Sequence, residues 1–160
     1  MKRINDILND PEYLDYLQRI LTAENDRIYC CHDMEHFIGV SRIAHIISLE
    51  ENLDIEKEII YAAGLLHDIG RFMEYENGID HAIASRELAE GILTKHSFTE
   101  AERKEITSAI ENHRNRVGGT TSPLADIIYR ADKLSRNCVL CDIRTTCKRF
   151  QNGETAVFIY

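Results

Sequence analysis

Little in this chain interrupts a helix: 160 residues contain only two prolines and eight glycines. That scarcity argues against a disordered or low-complexity protein and suits a globular one rich in helix. No apolar run approaches the ~20 residues of a membrane span, and the opening MKRINDILND lacks the apolar core of a secretory signal. A cytoplasmic protein with no membrane partner is therefore expected. Basic residues are in deficit, 19 against 27 acidic, for a formal net charge of -8. Such a surface disfavours broad binding to a nucleic acid polymer, so any phosphate site has to be local. Before the tail at 156–160 there is also no sustained apolar–polar alternation of the kind that marks strands. Cysteine is present as an odd set, Cys30, Cys31, Cys138, Cys141 and Cys147, which in a reducing compartment are expected to be mostly thiols.

What remains is helical periodicity. Asp10-Pro11 reads as an N-cap followed by a first-turn proline, with Tyr13, Leu14, Leu17, Ile20 and Leu21 at helical spacing. A long helix is predicted from about residue 30 to 50, striped by His36, Val40, Ile43 and Ile47, and a third is capped by Asp54 and ends at His67-Asp68. A fourth covers roughly 80 to 96, with His81, Ala84, Leu88 and Ile92 in line. Thr99 with Glu102 forms a capping box opening a helix that carries Ile106, Ala109, Ile110 and His113 and stops at Gly118-Gly119. Ser122-Pro123 starts the last, with Leu124, Ile128 and Asp132 on one face. The expected fold is all-α, a compact single-domain bundle of about six helices spanning 1–160.

An α-helix turns about 100° per residue, so positions four apart share a face and positions nine apart oppose. By this arithmetic His36, His67, His81 and His113 lie on the buried stripes of four successive helices, while His45 faces away from His36. Asp68 and Asp132 join them from a helix end and a helix face. Each has an ordinary reading alone: a hydrogen-bonded core histidine, an Asp132 paired with Arg130 or Arg136, a Gly70 that merely ends a helix. Burying several imidazoles and two carboxylates together is costly unless something compensates them, and a divalent cation does. Imidazole with carboxylate suits iron, manganese, zinc or nickel rather than calcium.

The order His36, then His67-Asp68, then Asp132 resembles the signature of the HD-domain superfamily of metal-dependent phosphohydrolases, an all-helical fold. Leu65-Leu66-His67-Asp68-Ile69-Gly70-Arg71 is similar to its central motif and Arg130-Ala131-Asp132-Lys133 to its last. The resemblance spans roughly residues 28 to 140. His81 and His113 further resemble the extra ligands of dimetal members. The resemblance then implies that Asp68 bridges two metals, with His36, His67 and Asp132 on one, His81 and His113 on the other, and a water between them as nucleophile. With a single metal, His81 and His113 would instead contact phosphate. Two departures narrow the subclass. Arg71 stands where single-metal nucleotidases of the superfamily carry a glutamate, and no Gly-Tyr-Pro segment of the cyclic-dinucleotide phosphodiesterases is present. Hydrolases that cleave diadenosine tetraphosphate symmetrically share the five-part order.

Phosphate esters call for cations besides metal, and Arg71, Arg114 and Lys133 each stand within a few residues of a candidate ligand. Asp68, Arg71 and Lys133 are the candidate catalytic residues; His32, Arg71, Arg114 and Lys133 are the candidate substrate contacts, with Arg116 and Arg130 weaker. His32, four before His36, reads as lining the substrate cavity, and His96 as a helix C-terminal dipole partner. Cys138-x2-Cys141-x5-Cys147, completed by Cys30 or Cys31, can supply a four-thiolate site. The competing and favoured reading is that helical cysteines at such spacing are small buried hydrophobes.

The expected activity is hydrolysis of a small-molecule phosphate mono- or diester, a nucleotide or dinucleoside polyphosphate, with one or two divalent transition metals. The alternatives are a nucleotide-sensing module of the same fold without turnover and a dimetal oxygenase. The oligomeric state is left open.

Overall fold

In the computed structural model the described residues are 1–114, 122–151, 153 and 155–160. Among them are eight α-helices: α1 (Lys2–Leu8), α2 (Pro11–Ala23), α3 (Met34–Glu50), α4 (Lys57–Leu66), α5 (Arg71–Asn77), α6 (His81–Lys95), α7 (Glu100–Asn112) and α8 (Pro123–Leu134). Three 3-10 turns follow, Cys138–Leu140, Arg144–Thr146 and Lys148–Phe150. The fold class is the expected one, with the short helices α1 and α5 added to the six. None of the described helices is long and apolar enough to cross a membrane.

The start signals act locally, as the chemistry of helix ends requires. Asp10 accepts from the Glu12 N–H, Asp33 from that of His36, and Ser122 from that of Ala125. Thr99 and Glu102 make the reciprocal capping box. One expectation fails: α4 is preceded by Glu56, not capped by Asp54, and its N-cap side chain makes no capping bond. Another shifts, because Asp33 holds the start of α3 at Met34 and leaves residues 30–33 outside the helix. His32 consequently sits in the preceding loop. The expected stop at Gly118-Gly119 lies outside the described residues; α7 itself ends at Asn112 with His113 as C-cap.

α4 lies at the centre, packed against α3, α7 and α8, while α6 covers α7 and α5 lies on α6 and α2. Its residues Ile59, Ile60, Ala62, Ala63, Leu65 and Leu66 are all buried, which explains a helix apolar on nearly every side. α3 and α4 cross closely because Gly64 has no side chain: a Cβ there would lie 2.4 Å from Ser41 Oγ and 2.8 Å from Ser41 Cα. Gly70 serves a similar purpose. Its ordinary reading is a glycine that merely ends a helix, yet its φ of -83° demands no glycine. The need is for space, since a Cβ would meet Ser85 N at 2.4 Å and the Ala84 Cβ at 2.6 Å on α6. Gly70 N–H donates to Ser85 Oγ at 2.9 Å, so the turn carrying His67-Asp68 is clipped to α6.

The start of α2 is fixed to the end of α6 through Asp10, whose carboxylate meets Lys95 Nζ at 2.8 Å and His96 Nε2 at 2.6 Å. His96, expected as a dipole partner, is the C-cap of α6 and makes this tertiary contact to Asp10. Burial opposes ionisation of Asp10, but Lys95, the Glu12 N–H and His96 outweigh it and hold the carboxyl at about 2. A carboxylate whose pKa is depressed on folding stabilises above its unfolded pKa, and the contribution is lost as pH falls through the folded value. Asp10→Asn is therefore expected to cost about 2 kcal/mol at pH 7, with the gap from wild type closing between roughly pH 4 and pH 2. Denaturant unfolding at several pH values measures this, and a pH-independent gap would mean that the ion pairs contribute nothing.

Candidate metal centre

Four helix ends and one helix face converge on Asp68. His67, the C-cap of α4, and Asp68, next to it in the turn before α5, are buried. His81 opens α6 behind its N-cap Asp80, His113 closes α7, and His36 lies in the first turn of α3. All three are buried, and Asp132 of α8 is half-buried.

The imidazoles share one orientation. Each turns Nε2 inward: His81 Nε2 lies 3.2 Å and His113 Nε2 3.6 Å from Asp68 Oδ1, His67 Nε2 lies 3.4 Å from Asp68 Oδ2, and His36 Nε2 lies 3.5 Å from Asp132 Oδ1. Each turns Nδ1 outward to a fixed partner. His67 Nδ1 meets the Gly64 carbonyl at 2.8 Å and His113 Nδ1 the Ile110 carbonyl at 2.5 Å. Both carbonyls belong to the last turn of the preceding helix, where backbone acceptors lack intrahelical donors, so a histidine at the C-cap is oriented by its own helix. His81 Nδ1 donates to Glu74 Oε2 at 2.7 Å, and Ser135 Oγ lies 3.3 Å from His36 Nδ1. Fixing Nδ1 in this way leaves the Nε2 lone pair free, which is how metal-binding histidines are held.

The donors fall into two groups whose ligand atoms lie within 4.8 Å of one another: His36, His67, Asp68 and Asp132, and Asp68, His81 and His113. Asp68 belongs to both. Buried His36 Nε2, His67 Nε2 and Asp68 Oδ1 have no hydrogen-bond partner. Orphaned polar atoms at the centre of a cluster are costly unless a cation takes up their lone pairs. The donor set fits a divalent transition metal.

Protonation suits ligation as well. Burial, reinforced by the neighbouring His67 and Arg136, brings His36 down to about 3, and burial brings His67 down to about 4. Burial also lowers His81. Asp68 is held well below the carboxylate range because His67 and His113 outweigh its burial. At neutral pH the centre therefore presents neutral His36 and His67 to an anionic Asp68, the forms that bind metal. His113 differs: burial lowers its pKa, but the Asp68 carboxylate more than offsets this and raises it.

The cations take unequal positions. Arg71 is half-buried, donates to Glu74 Oε2 at 2.7 Å and places Nη2 3.3 Å from His32 Nε2. His32 is fully buried, held by Glu24 at 2.6 Å, and its Nε2 lies 3.4 Å from Asp68 Oδ2. Arg114 is exposed, pairs with Asp80 at 3.0 Å and reaches within 3.5 Å of His81 Nδ1. Lys133 is exposed, with Nζ 3.1 Å from Asp132 Oδ2 and 4.3 Å from the Tyr129 ring centre. Arg130 points elsewhere, to Glu51 and Asp126, and Arg116 lies outside the described residues. His45 stands apart, against Tyr61.

Of the two arginines offered as partners of Asp132, Arg136 is the one that pairs, with Nη2 3.0 Å from Asp132 Oδ1. Sequence reasoning missed two supporting groups. Glu74, three after Arg71, anchors both Arg71 and His81. Glu24 gave no signal, since it reaches His32 from the end of α2 across a loop.

Comparison with known proteins agrees with this geometry. The HD-domain family profile matches residues 33–137. The chain is 45% identical to a Clostridium beijerinckii protein of uncharacterized function, over 92% of both chains. It is 37% identical over 120 residues to ribonuclease Y of Lawsonia intracellularis, covering 74% of this chain but only 21% of that enzyme. Among solved structures, a crystal structure described as a predicted HD superfamily hydrolase from an uncultured Thermotogales bacterium matches with a TM-score of 0.59 and 31% identity, covering 76% of this chain and 66% of that one.

Proposed function

The chain belongs to the HD-domain family, and from that membership we propose that it is a metal-dependent phosphohydrolase acting on a small phosphorylated molecule, a nucleotide or dinucleoside polyphosphate. The observation that carries the reading is the sharing of Asp68 between two donor groups. His36, His67 and Asp132 would hold one cation and His81 and His113 the other, with Asp68 serving both. When bound, the cations supply Lewis acidity, lowering the pKa of a water and offsetting charge on the phosphoryl oxygens.

The protein groups do the rest. Glu74 and the Gly64 and Ile110 carbonyls keep three imidazoles turned so that Nε2 faces inward. Arg71, fixed by Glu74 beside His32, presents a guanidinium to a phosphoryl oxygen near Asp68, and Arg114 and Lys133 flank it from the rim. His32 lines the same wall. The net charge of -8 favours a small substrate over a polyanionic chain. Likeness to ribonuclease Y supports a second reading, cleavage of a phosphodiester in RNA.

Metal analysis on anaerobically purified chain, paired with phosphate-release assays on phosphate mono- and diesters and dinucleoside polyphosphates, tests the proposal. About two transition metals per chain, counted apart from any iron that accompanies acid-labile sulfide, are expected, with one lost in His81→Ala and in His113→Ala. Cleavage of single-stranded RNA without release from small substrates would replace the first reading by the second. No hydrolysis of either class by metal-loaded protein would leave a binding module.

A further inference from the structure

The centre at Asp68 uses none of the five cysteines. We propose that Cys30, Cys138, Cys141 and Cys147 form a separate four-thiolate site that holds an iron–sulfur cluster.

The favoured sequence reading, helical cysteines buried as small hydrophobes, does not hold. Cys138 lies in a 3-10 turn, Cys141 and Cys147 border such turns, and none of the five cysteines is buried. The three turns contain no buried residue, so the hydrophobic core does not hold the segment that carries three thiols. It is nevertheless gathered against the loop before α3. Tyr29 donates to the Thr146 carbonyl at 3.2 Å, and Arg149 to the Lys133 carbonyl at 3.0 Å. Bonds from thiolate to metal are a common substitute for a core in such segments.

The tertiary fold brings Cys30 to the tail. Cys30, Cys138 and Cys147 line one cavity of about 580 Å³, and the Cys141 N–H donates to the Cys138 carbonyl at 3.5 Å, which keeps Cys141 in the same turn. Arg27, Lys133, Arg136 and Arg149 share the lining with a single carboxylate, Asp132, which Arg136 pairs; the balance is positive in a chain of net charge -8. Arg149 Nη1 lies 3.9 Å from Cys138 Sγ. Cationic donors facing sulfur suit a centre that carries negative charge.

Spacing decides between metals. Among the described residues no three thiols lie within 4.8 Å of one another. A tetrahedral zinc ion with bonds of about 2.3 Å needs its sulfurs about 3.8 Å apart, whereas a four-iron cluster separates its cysteine sulfurs by roughly 6 Å. The absence of so close a group of thiols disfavours a preformed zinc site and favours the larger centre. Cys31 is the spare thiol, its Sγ turned to the Tyr29 carbonyl at 3.6 Å. On assembly each of the four thiols gives its proton to solvent as a sulfur–iron bond forms; two ferrous ions, two ferric ions and four inorganic sulfides come from outside, so no electron is gained or lost by the chain or by the iron.

Anaerobic reconstitution of the full chain with equal amounts of ferrous and ferric iron and with sulfide, followed by iron and acid-labile sulfide determination and a visible spectrum, is the test. Sulfide is the discriminating readout, because the histidine–aspartate centre holds none whether or not it catalyses hydrolysis. About four sulfides per chain with charge-transfer absorption are expected. They should be lost in Cys141→Ser and Cys147→Ser and kept in Cys31→Ser, with circular dichroism confirming the helices in each. One zinc without sulfide, lost in the same variants, would overturn the cluster, as would wild-type chain that retains no sulfide.

Discussion

Asp68→Asn should leave a folded protein that retains little metal and hydrolyses phosphate esters roughly a thousandfold more slowly, the equivalent of about 4 kcal/mol of transition-state stabilisation. The size of the effect follows from position. Asp68 is the one carboxylate within both donor groups, whereas replacing His81 or His113 is expected to remove only one cation. Folding should survive, because the Asp68 side chain bonds to the site and not to the core: its neighbours are His32, His67, His81 and His113. An amide of the same shape removes the negative charge that now faces these imidazoles. Elemental analysis and steady-state assays on the same preparation check the outcome. If the variant kept both metals and near wild-type turnover, Asp68 would have no part in the chemistry.

Gly70→Ala, a single methyl added beside the site, should destabilise the protein by about 3 kcal/mol, a fall in Tm of roughly 6 to 12 °C. The new Cβ would lie 2.4 Å from a backbone nitrogen of α6, and backbone cannot swing aside as a flexible side chain can. α6 would have to move away from the His67-Asp68 turn, stretching the Gly70–Ser85 hydrogen bond and carrying His81 with it. The metal shared by Asp68, His81 and His113 should weaken before the other. Gly91→Ala on the same helix supplies the opposite sign. A Cβ at Gly91 meets nothing within 4 Å, so alanine should stabilise by up to about 1 kcal/mol through helix propensity. Thermal melts of the two variants with metal analysis check both; equal melting temperatures would show that close packing at Gly70 is not what requires glycine.

These two glycines mark the boundary between local and non-local information. Helix starts were legible because capping depends on a few adjacent residues: Asp10-Pro11, Thr99 with Glu102, and Ser122-Pro123 each act within one turn. The Asp54 cap failed where local signals were weakest, since α4 is held by burial on nearly every side and not by its N-terminus. Helical periodicity pointed His36, His67, His81, His113 and Asp132 toward the core, because a buried stripe has to face it, while Asp68 was legible only as the neighbour of His67 at a helix end.

What the sequence determined by itself is the all-helical class, the order of the helices and the donor types each turns inward, all of which follow from the 3.6-residue period and from end-capping chemistry. The tertiary structure alone decided how closely the two donor groups meet at Asp68, that Arg136 and not Arg130 pairs with Asp132, that Glu24 and Glu74 hold the surrounding side chains, and that Cys30 meets the cysteines of the tail. The physical reason is that helical spacing fixes direction within one helix, whereas the distance between helices depends on how their surfaces pack, down to the missing Cβ atoms of Gly64 and Gly70.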